Sequence, residues 1–186
     1  TEELRELILE HASSSFDWSE ISPTIFGSVF ESTLNPETRR SGGMHYTSIE
    51  NIHKVIDPLF LDELRNELNE IRQFKQRAKQ CQLKLSSLTF FDPACGSGNF
   101  LTETYTSLRR LENEAIKLYM GDAVALDLGQ ELVKVKLNQF YGIEINDFAV
   151  SVAKTALWIA ENQMLEETKD IVFANIDFLP LKSYTN

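Results

Sequence analysis

Apolar residues recur at helical spacing through the first half of the chain. Leu4, Leu7 and Ile8 mark a short amphipathic helix at the start. Ser22-Pro23 predicts the start of a second helix, because serine caps helix N-termini and proline fits the first helical position. The apolar face of that helix would comprise Ile25, Phe26, Val29 and Phe30.

Two further start signals precede a longer helical stretch. Thr47-x-x-Glu50 matches a capping box, in which the Thr47 hydroxyl would cap the helix. Asp57-Pro58 predicts a second cap and a restart of the helix. The apolar stripe that follows spans about six turns by helix geometry, and it comprises Leu61, Leu64, Leu68, Ile71, Phe74 and Ala78.

The second half of the chain alternates between strands and helices. An apolar run over residues 85–91 predicts a strand, and a glycine-containing loop and a helical pattern follow it. A second strand over 140–145 precedes Asn146-Asp147, which predicts the cap of a helix buried on more than one side. Residues 171–173 predict a short strand. This order indicates an α/β domain at 85–186 after a helical segment at 1–84.

Composition and charge narrow the functional class. The chain has 186 residues, of which 42% are hydrophobic, and it contains no apolar run long enough to span a membrane. Its formal net charge of −10 argues against binding a phosphate backbone by itself. With Cys81 and Cys95 as its only cysteines, a reducing cytoplasm is expected. Since the chain starts without methionine, we expect it to be a piece of a longer protein.

A locally basic segment interrupts the acidic chain. It carries Arg72, Lys75, Arg77, Lys79 and Lys84 without an acidic residue among them. A solvated helix face is the favoured interpretation, because charge runs usually have that role. A strip that faces phosphates is the alternative.

The loop after the first strand lies where α/β folds bind nucleotide-like ligands. It lacks the Lys-Ser or Lys-Thr of a P-loop and the third glycine of a dinucleotide fingerprint. Asp92 precedes the glycines, and its carboxylate would repel a pyrophosphate but attract an ammonium or sulfonium group, which points to S-adenosylmethionine. Gly96 and Gly98 allow the backbone to approach such a ligand. Glu144, at the end of the second strand, can accept hydrogen bonds from ribose hydroxyls.

These residues fall in motifs of a known family. Residues 91–101, Phe-Asp-Pro-Ala-Cys-Gly-Ser-Gly-Asn-Phe-Leu, resemble motif I of the amino-group DNA methyltransferases. Residues 45–48, His-Tyr-Thr-Ser, resemble motif X, and residues 141–146, Tyr-Gly-Ile-Glu-Ile-Asn, resemble motif II. The order X, I, II is that of the gamma group of adenine-N6 methyltransferases. Residues 25–47 are most similar to the modification region of single-chain type II restriction–modification enzymes.

The resemblance implies part of a class I S-adenosylmethionine-dependent methyltransferase fold, which is Rossmann-like. It implies a parent protein that methylates the N6 amino group of adenine in DNA, with DNA held by parts outside these residues. The implied cofactor-binding residues are Tyr46, Thr47, Asp92, Pro93, Ala94, Cys95, Gly96, Ser97, Gly98, Glu144 and Ile145.

One departure from the family limits these expectations. Its catalytic motif IV, Asn-Pro-Pro-Tyr or a close variant, does not occur in the 186 residues. No catalytic residue is therefore assigned, and the chain alone is expected to be inactive. Two alternatives remain: a non-catalytic cofactor-binding or scaffold module, and a protein-glutamine methyltransferase. The upstream position of motif X argues against the second.

Several other residues allow a second interpretation. Cys95 lies near a helix N-terminus, which would lower its pKa, but without a paired histidine it is better explained as a small packed residue. His45 and His53 lack further side chains at metal-ligand spacing. Trp158 is expected in the core or an interface. Phe148 could cover an adenine ring, but a core position is favoured.

Overall fold

The computed structural model describes residues 2–7, 9–10, 21–26, 29, 47–72, 74–120 and 132–177. Helices dominate this part of the chain, and two short strands lie in its second half. In chain order the elements are α1 (Glu2–Leu7), α2 (Ile49–Ile56), a π-helical segment (Asp57–Leu61), α3 (Asp62–Glu70), α4 (Lys75–Ser87), β1 (Phe90–Asp92), α5 (Asn99–Met120), a 3-10 turn (Leu137–Gln139), β2 (Phe140–Gly142) and α6 (Asp147–Asp177).

The first two predicted helices are confirmed over the residues that the structure describes. α1 has no buried residue. Residues 23–26 are helical, and the Ser22 hydroxyl accepts a hydrogen bond from the backbone N–H of Ile25 at 3.4 Å. Phe30, the loop around residues 35–43 and the turn predicted over 121–129 lie outside the described residues.

The predicted cap at Asp57 is wrong, because the helix continues through this point. The Asp57 side chain makes no capping hydrogen bond and instead lies against His53 and Arg65. Pro58 has no N–H to donate, and the chain widens into a π-helical segment in which the N–H of Asp62 donates to the carbonyl of Asp57. α2, the π-helical segment and α3 therefore form one continuous helical run.

The apolar stripe predicted after Asp57 lies on two helices, because the helix is interrupted before Lys75. The first strand is also shorter than predicted. α3 ends at Glu70, Ile71 and Arg72 form a turn, and α4 begins at Lys75. Phe74, predicted on the apolar face, lies in this break and is 53% exposed. Residues 85–87 belong to α4, with Leu85 fully buried, so β1 begins only at Phe90.

The two strands form a parallel sheet, as the alternation of the second half predicted, but β2 ends at Gly142 and not at residue 145. Phe90 pairs with Phe140 and Asp92 with Gly142 in the register. The Phe90 and Phe140 rings stack at 5.3 Å, and Tyr105 of α5 meets Phe140 edge-on at 5.5 Å. One face of the sheet thus packs into the core against α5, which connects the strands.

The strand predicted over residues 171–173 is wrong, because α6 runs without interruption from Asp147 to Asp177.

α6 is also less buried than predicted. Its buried apolar residues are Ala149, Val152, Ala153, Ala156, Ala160 and Met164. These share one face, whereas Phe148 and Trp158 are 41% and 67% exposed. Trp158 is therefore no core residue of the described part of the chain.

A buried ion pair within α5 lies at its contact with α6. Arg109 and Glu112 are both fully buried, and the Arg109 guanidinium donates to the Glu112 carboxylate. Arg109 Nη2 also donates to Thr168 Oγ1 of α6 at 2.7 Å. Asn113 donates to Glu167 on the same helix at 3.2 Å. Because buried charges require partners, these contacts define how the two helices lie against each other.

The Glu112 carboxylate also binds α4 and the segment before β2. Its Oε1 accepts hydrogen bonds from the Gln82 side chain at 2.7 Å and from the backbone N–H groups of Lys134 and Val135 at 2.6 and 3.1 Å. Gln139 reaches back from the 3-10 turn and donates to the Leu85 carbonyl at 2.9 Å. The chain entering β2 is therefore held in place by polar contacts to α4 and α5.

His53 connects α2 to the first turns of α5. Its Nδ1 lies 2.8 Å from Asp57 Oδ1, and its Nε2 lies 3.0 Å from Glu103 Oε1. The hydrogen bond to Asp57, helped by Glu103, raises the pKa of His53 above its ordinary value of 6.5. The same contact lowers the pKa of Asp57. His53 therefore has a structural role, and the described residues contain no group of metal-binding side chains.

Replacing Arg109 by methionine leaves the Glu112 carboxylate buried without a cation. We expect Arg109→Met to lower the free energy of unfolding by about 3–5 kcal/mol, as removal of one partner of a buried pair does. The matched control is Lys169→Met, which breaks the exposed pair between Lys169 and Glu166 and should cost less than about 1 kcal/mol. Urea unfolding measures both, and equal losses would contradict the role of the pair.

The His53 bridge should make stability depend on pH. Because the pKa of His53 is higher in the folded state, its contribution is fully present below the unfolded-state pKa near 6.5. It is lost as the pH rises through the folded-state pKa. His53→Gln removes the titrating group, so the difference in free energy of unfolding between the parent chain and this variant should shrink as the pH rises above about 6.5 and through the raised folded-state pKa of His53. A constant difference would be the contrary result.

Candidate functional site

The parallel register brings the two predicted acidic residues to one edge of the sheet. Asp92 is the last residue of β1 and pairs with Gly142, the last residue of β2. Glu144 follows two residues later. Both carboxyl side chains are half-buried. The carboxyl ends of adjacent parallel strands are where α/β folds bind ligands, so the predicted site residues lie where that rule requires.

Backbone hydrogen bonds tie the loop after β1 to the chain after β2. The Ile143 N–H donates to the Asp92 carbonyl at 3.0 Å, and the Cys95 N–H donates to the Ile143 carbonyl at 3.0 Å. The Asp92 carboxylate accepts the N–H of Ala94 at 3.0 Å. The Gly98 N–H donates to the Cys95 carbonyl at 2.8 Å and closes the loop before α5.

Glu144 contacts the loop directly. Its Oε2 accepts a hydrogen bond from the Gly96 N–H at 3.0 Å, and its Oε1 accepts one from the Asn146 N–H at 2.8 Å. Asn146 in turn caps α6, because its side-chain oxygen accepts the N–H groups of Phe148 and Ala149. The cap predicted at Asn146 is confirmed.

The loop therefore offers acceptors to a ligand rather than donors. The N–H groups of Ala94, Cys95, Gly96 and Gly98 all donate to acceptors within the protein. Phosphate-binding loops work by pointing such groups at the anion. With carboxylates on both strand ends, this edge suits a ligand that carries hydroxyl groups and a positive charge.

Two glycines of the loop have backbone conformations that other residues rarely adopt. Gly96 has φ +53° and Gly98 has φ +80°. A Cβ on Gly98 would lie 2.8 Å from the Cβ of Ala153, so α6 packs directly on the loop backbone. A Cβ on Gly96 would meet nothing within 4 Å, which leaves open space above the loop for a ligand.

Cys95 is a packed loop residue, and the nucleophile interpretation loses support. Burial, followed by the nearby charges of Asp92 and Glu144, raises the pKa of the Cys95 thiol, the opposite of what a helix N-terminus would do. A Cβ on Gly142 would lie 2.7 Å from Cys95 Sγ, so the side chain fills the space beside β2.

The remaining predicted residues of motifs I and II surround the same edge. Pro93 and Ala94 are exposed, and Ser97 is buried. Ile145 is 90% exposed beside Glu144. An apolar side chain in that position gives the crevice a hydrophobic margin next to its carboxylate.

The predicted capping box at Thr47 is wrong by one residue. Ser48 is the N-cap of α2, and its hydroxyl accepts the N–H of Asn51 at 3.4 Å. Glu50 pairs with Lys54 instead of reaching back to a cap. Serine and threonine are both good caps, and adjacent candidates cannot be separated by pattern alone. Thr47 therefore does not cap α2. Tyr46 lies outside the described residues.

A cavity beside Asp92 was not predicted from the sequence. It has a volume of about 260 Å³ and lies between α2, the π-helical segment, β1 and the start of α5. Its apolar lining includes Val55, Leu59, Phe60 and Phe100. Val55 and Leu59 are spaced four residues apart on the helical run, a second apolar face that the sequence contained.

Two of the five basic side chains of the basic segment pair with acidic side chains. Arg72 lies 3.6 Å from Glu114, and Lys84 contacts Glu67. The Arg77 guanidinium lies 5.0 Å from the centroid of the Phe74 ring. These contacts favour a solvated helix face over a phosphate-binding strip. None of the helices that the structure describes is long and apolar enough to cross a membrane.

Comparison with known proteins identifies relatives that match most of the chain. The family model described as MmeI, DNA-methyltransferase domain, matches residues 68–186. DNA methyltransferase A of Bacillus subtilis (strain 168) is 46% identical over 170 residues, which are 90% of this chain and 19% of that protein. A putative type II restriction enzyme and methyltransferase of Methanocaldococcus jannaschii is 28% identical, over 86% of this chain and 16% of its own length.

A solved structure agrees with these matches. The chain is similar to the type IIL restriction–modification enzyme MmeI, determined in complex with DNA, with a TM-score of 0.81 and 44% sequence identity. The similarity covers 97% of this chain and 24% of that one. The chain thus spans about a fifth of the length of these relatives. Helices with a small parallel sheet fit part of a methyltransferase fold, and the chain belongs to the family of MmeI-type DNA-methyltransferase domains.

Proposed function

We propose that the chain is the S-adenosylmethionine-binding part of a DNA methyltransferase that modifies the N6 amino group of adenine within a restriction–modification system. The observation that carries this proposal is the acceptor-rich edge between Asp92 and Glu144. The family match supports a methyltransferase, and the sequence motifs support adenine as the target base. The class I Rossmann-like fold, the division at residues 84 and 85 and a cytoplasmic location belong to the same proposal.

The residues present fit this cofactor. The open space above Gly96 leaves room for a ligand against the loop backbone. Glu144 has lone pairs left for ribose hydroxyls, since a carboxylate offers about four acceptor positions and two of them are used here. Exposed Ile145 and Phe148 offer apolar surface for the adenine ring. The cofactor would supply a methyl group activated by its sulfonium.

The methionine end of the cofactor belongs on the other side of the crevice. Asp92 provides a carboxylate for an ammonium group there, and the cavity lined by Val55 and Leu59 adjoins it. The resemblance assigns motif X, with Tyr46 and Thr47, to this end, and α2 follows motif X directly. These residues would bind and orient the donor.

The adenine that receives the methyl group would be held by parts of the parent protein outside these residues. An adenine amino group is unreachable inside a DNA duplex, so the base has to be flipped out. The Asn-Pro-Pro-Tyr type of motif that would hold it is absent from the 186 residues. We therefore assign no catalytic residue and propose that these residues bind the cofactor without transferring the methyl group by themselves.

Cofactor binding is tested by calorimetric titration of the chain with S-adenosylhomocysteine. Asp92→Asn keeps an oxygen to accept the Ala94 N–H but removes the charge, and it should weaken binding about tenfold, since a charged hydrogen bond contributes about 1.5–3 kcal/mol. Glu166→Gln, an exposed change on α6, is the control and should leave the Kd unchanged. Absence of heat with the parent chain would contradict cofactor binding, and equal Kd values would contradict the role of Asp92.

The target base is tested on the complete gene product, because the chain covers only part of its relatives. Plasmid DNA from cells that express it should contain N6-methyladenine, measured by mass spectrometry of the digested nucleosides. Asp92→Asn in the same protein should reduce that signal. Methylation confined to cytosine would refute the adenine assignment, and a methylated protein glutamine without methylated DNA would favour the alternative enzyme class.

A further inference from the structure

We propose that Glu144 is a positioning residue that sets the conformation of the glycine loop before any ligand arrives. In this role its carboxylate connects the loop after β1 to the start of α6, in addition to any contact with a ribose. The inference rests on the proposed function, because the loop that Glu144 positions is the proposed cofactor-binding loop.

The geometry of the carboxylate supports this role. One oxygen accepts the Gly96 N–H at 3.0 Å, and the other accepts the Asn146 N–H at 2.8 Å. Gly96 and Glu144 are far apart in sequence but lie on adjacent strand-end loops. Hydrogen bonds to a carboxylate are stronger than those between neutral groups. Glu144 is half-buried, which limits competition from water.

Gly96 needs such a contact, because side-chain packing does not fix its backbone conformation. Its φ of +53° is a left-handed conformation, and glycine has more conformational freedom to lose than any other residue. The position of a Cβ on Gly96 is surrounded by open space, in contrast to Gly98, which lies against Ala153. The hydrogen bond that the Gly96 N–H donates to Glu144 is therefore the stronger contact on Gly96, since its carbonyl accepts only a long contact from the Cys95 thiol at 3.9 Å.

The second oxygen extends the effect to α6. Asn146 caps this helix through its side chain, and Glu144 holds the Asn146 backbone. Loss of the carboxylate would free the Gly96 peptide and the Asn146 backbone together. A cofactor would then have to order both segments as it binds, and that ordering would reduce its affinity.

The first test measures hydrogen exchange of backbone amides by NMR in the full chain without ligand. Glu144→Ala should make the Gly96 and Asn146 amides exchange at least about tenfold faster, as expected for loss of a charged hydrogen bond. The Cys95 and Ile143 amides, which donate to backbone carbonyls, should stay protected and show that the variant is folded. Unchanged exchange at Gly96 would overturn the proposal.

The second test separates positioning from ribose contact. S-adenosylhomocysteine and its 2′,3′-dideoxy counterpart are titrated into the parent chain and into Glu144→Ala. If Glu144 only contacts the ribose, its replacement by alanine would lower the affinity for S-adenosylhomocysteine alone. If Glu144 positions the loop, the replacement lowers the affinity for both ligands, and we expect about a tenfold loss for the dideoxy ligand. An unchanged Kd for the dideoxy ligand would overturn the proposal.

The outcomes also distinguish this inference from the proposed function. If the parent chain binds neither ligand, the proposed function fails and so does the claim that the loop is prepared for a cofactor. Fast exchange confined to Gly96 and Asn146 in Glu144→Ala would still show the structural connection. Normal cofactor binding with unchanged exchange at Gly96 would leave the proposed function intact and refute the positioning role.

Discussion

Parallel pairing of β1 with β2 is the constraint on which the rest of the structure depends. Parallel neighbours cannot be joined by a tight turn, so the chain has to leave Asp92, cross the sheet and return to Phe140. α5 begins this crossover and packs between α4 and α6. The pairing also brings the ends of both strands to one edge, where the Asp92 and Glu144 carboxylates meet the same crevice. The site is thus a product of topology.

The central position of α5 explains the polar interior. A helix enclosed by others on several sides has little access to water, and burying a charged or polar side chain there is costly without a partner. Arg109 and Asn113 bind α6, and Glu112 binds α4 and the segment entering β2. Apolar contacts alone would tolerate sliding between helices, whereas these directed contacts favour a single arrangement.

The site was more predictable from the sequence than the framework that holds it. Asp92 and Glu144 were predictable because strand, loop and helix follow each other locally. The bond between Arg109 and Thr168 joins residues 59 positions apart and has no local pattern. The helix break before Lys75 contains neither glycine nor proline, so no breaker residue marks it. Residues 171–173 are strand formers by type, but α6 continues through them because context overrides propensity.

The contact between Gly98 and Ala153 places α6 directly against the backbone of the glycine loop. The distance between the loop and α6 is set there by the absence of one side chain and the small size of another. A Cβ at residue 98 would lie 2.8 Å from the Cβ and 3.2 Å from the Cα of Ala153, so a side chain there would require the loop or α6 to shift. A change at residue 153, in the second turn of α6, can therefore act on the candidate site from a distance. Gly98 cannot be exchanged even beside a smaller residue 153, because its φ of +80° strains any other residue.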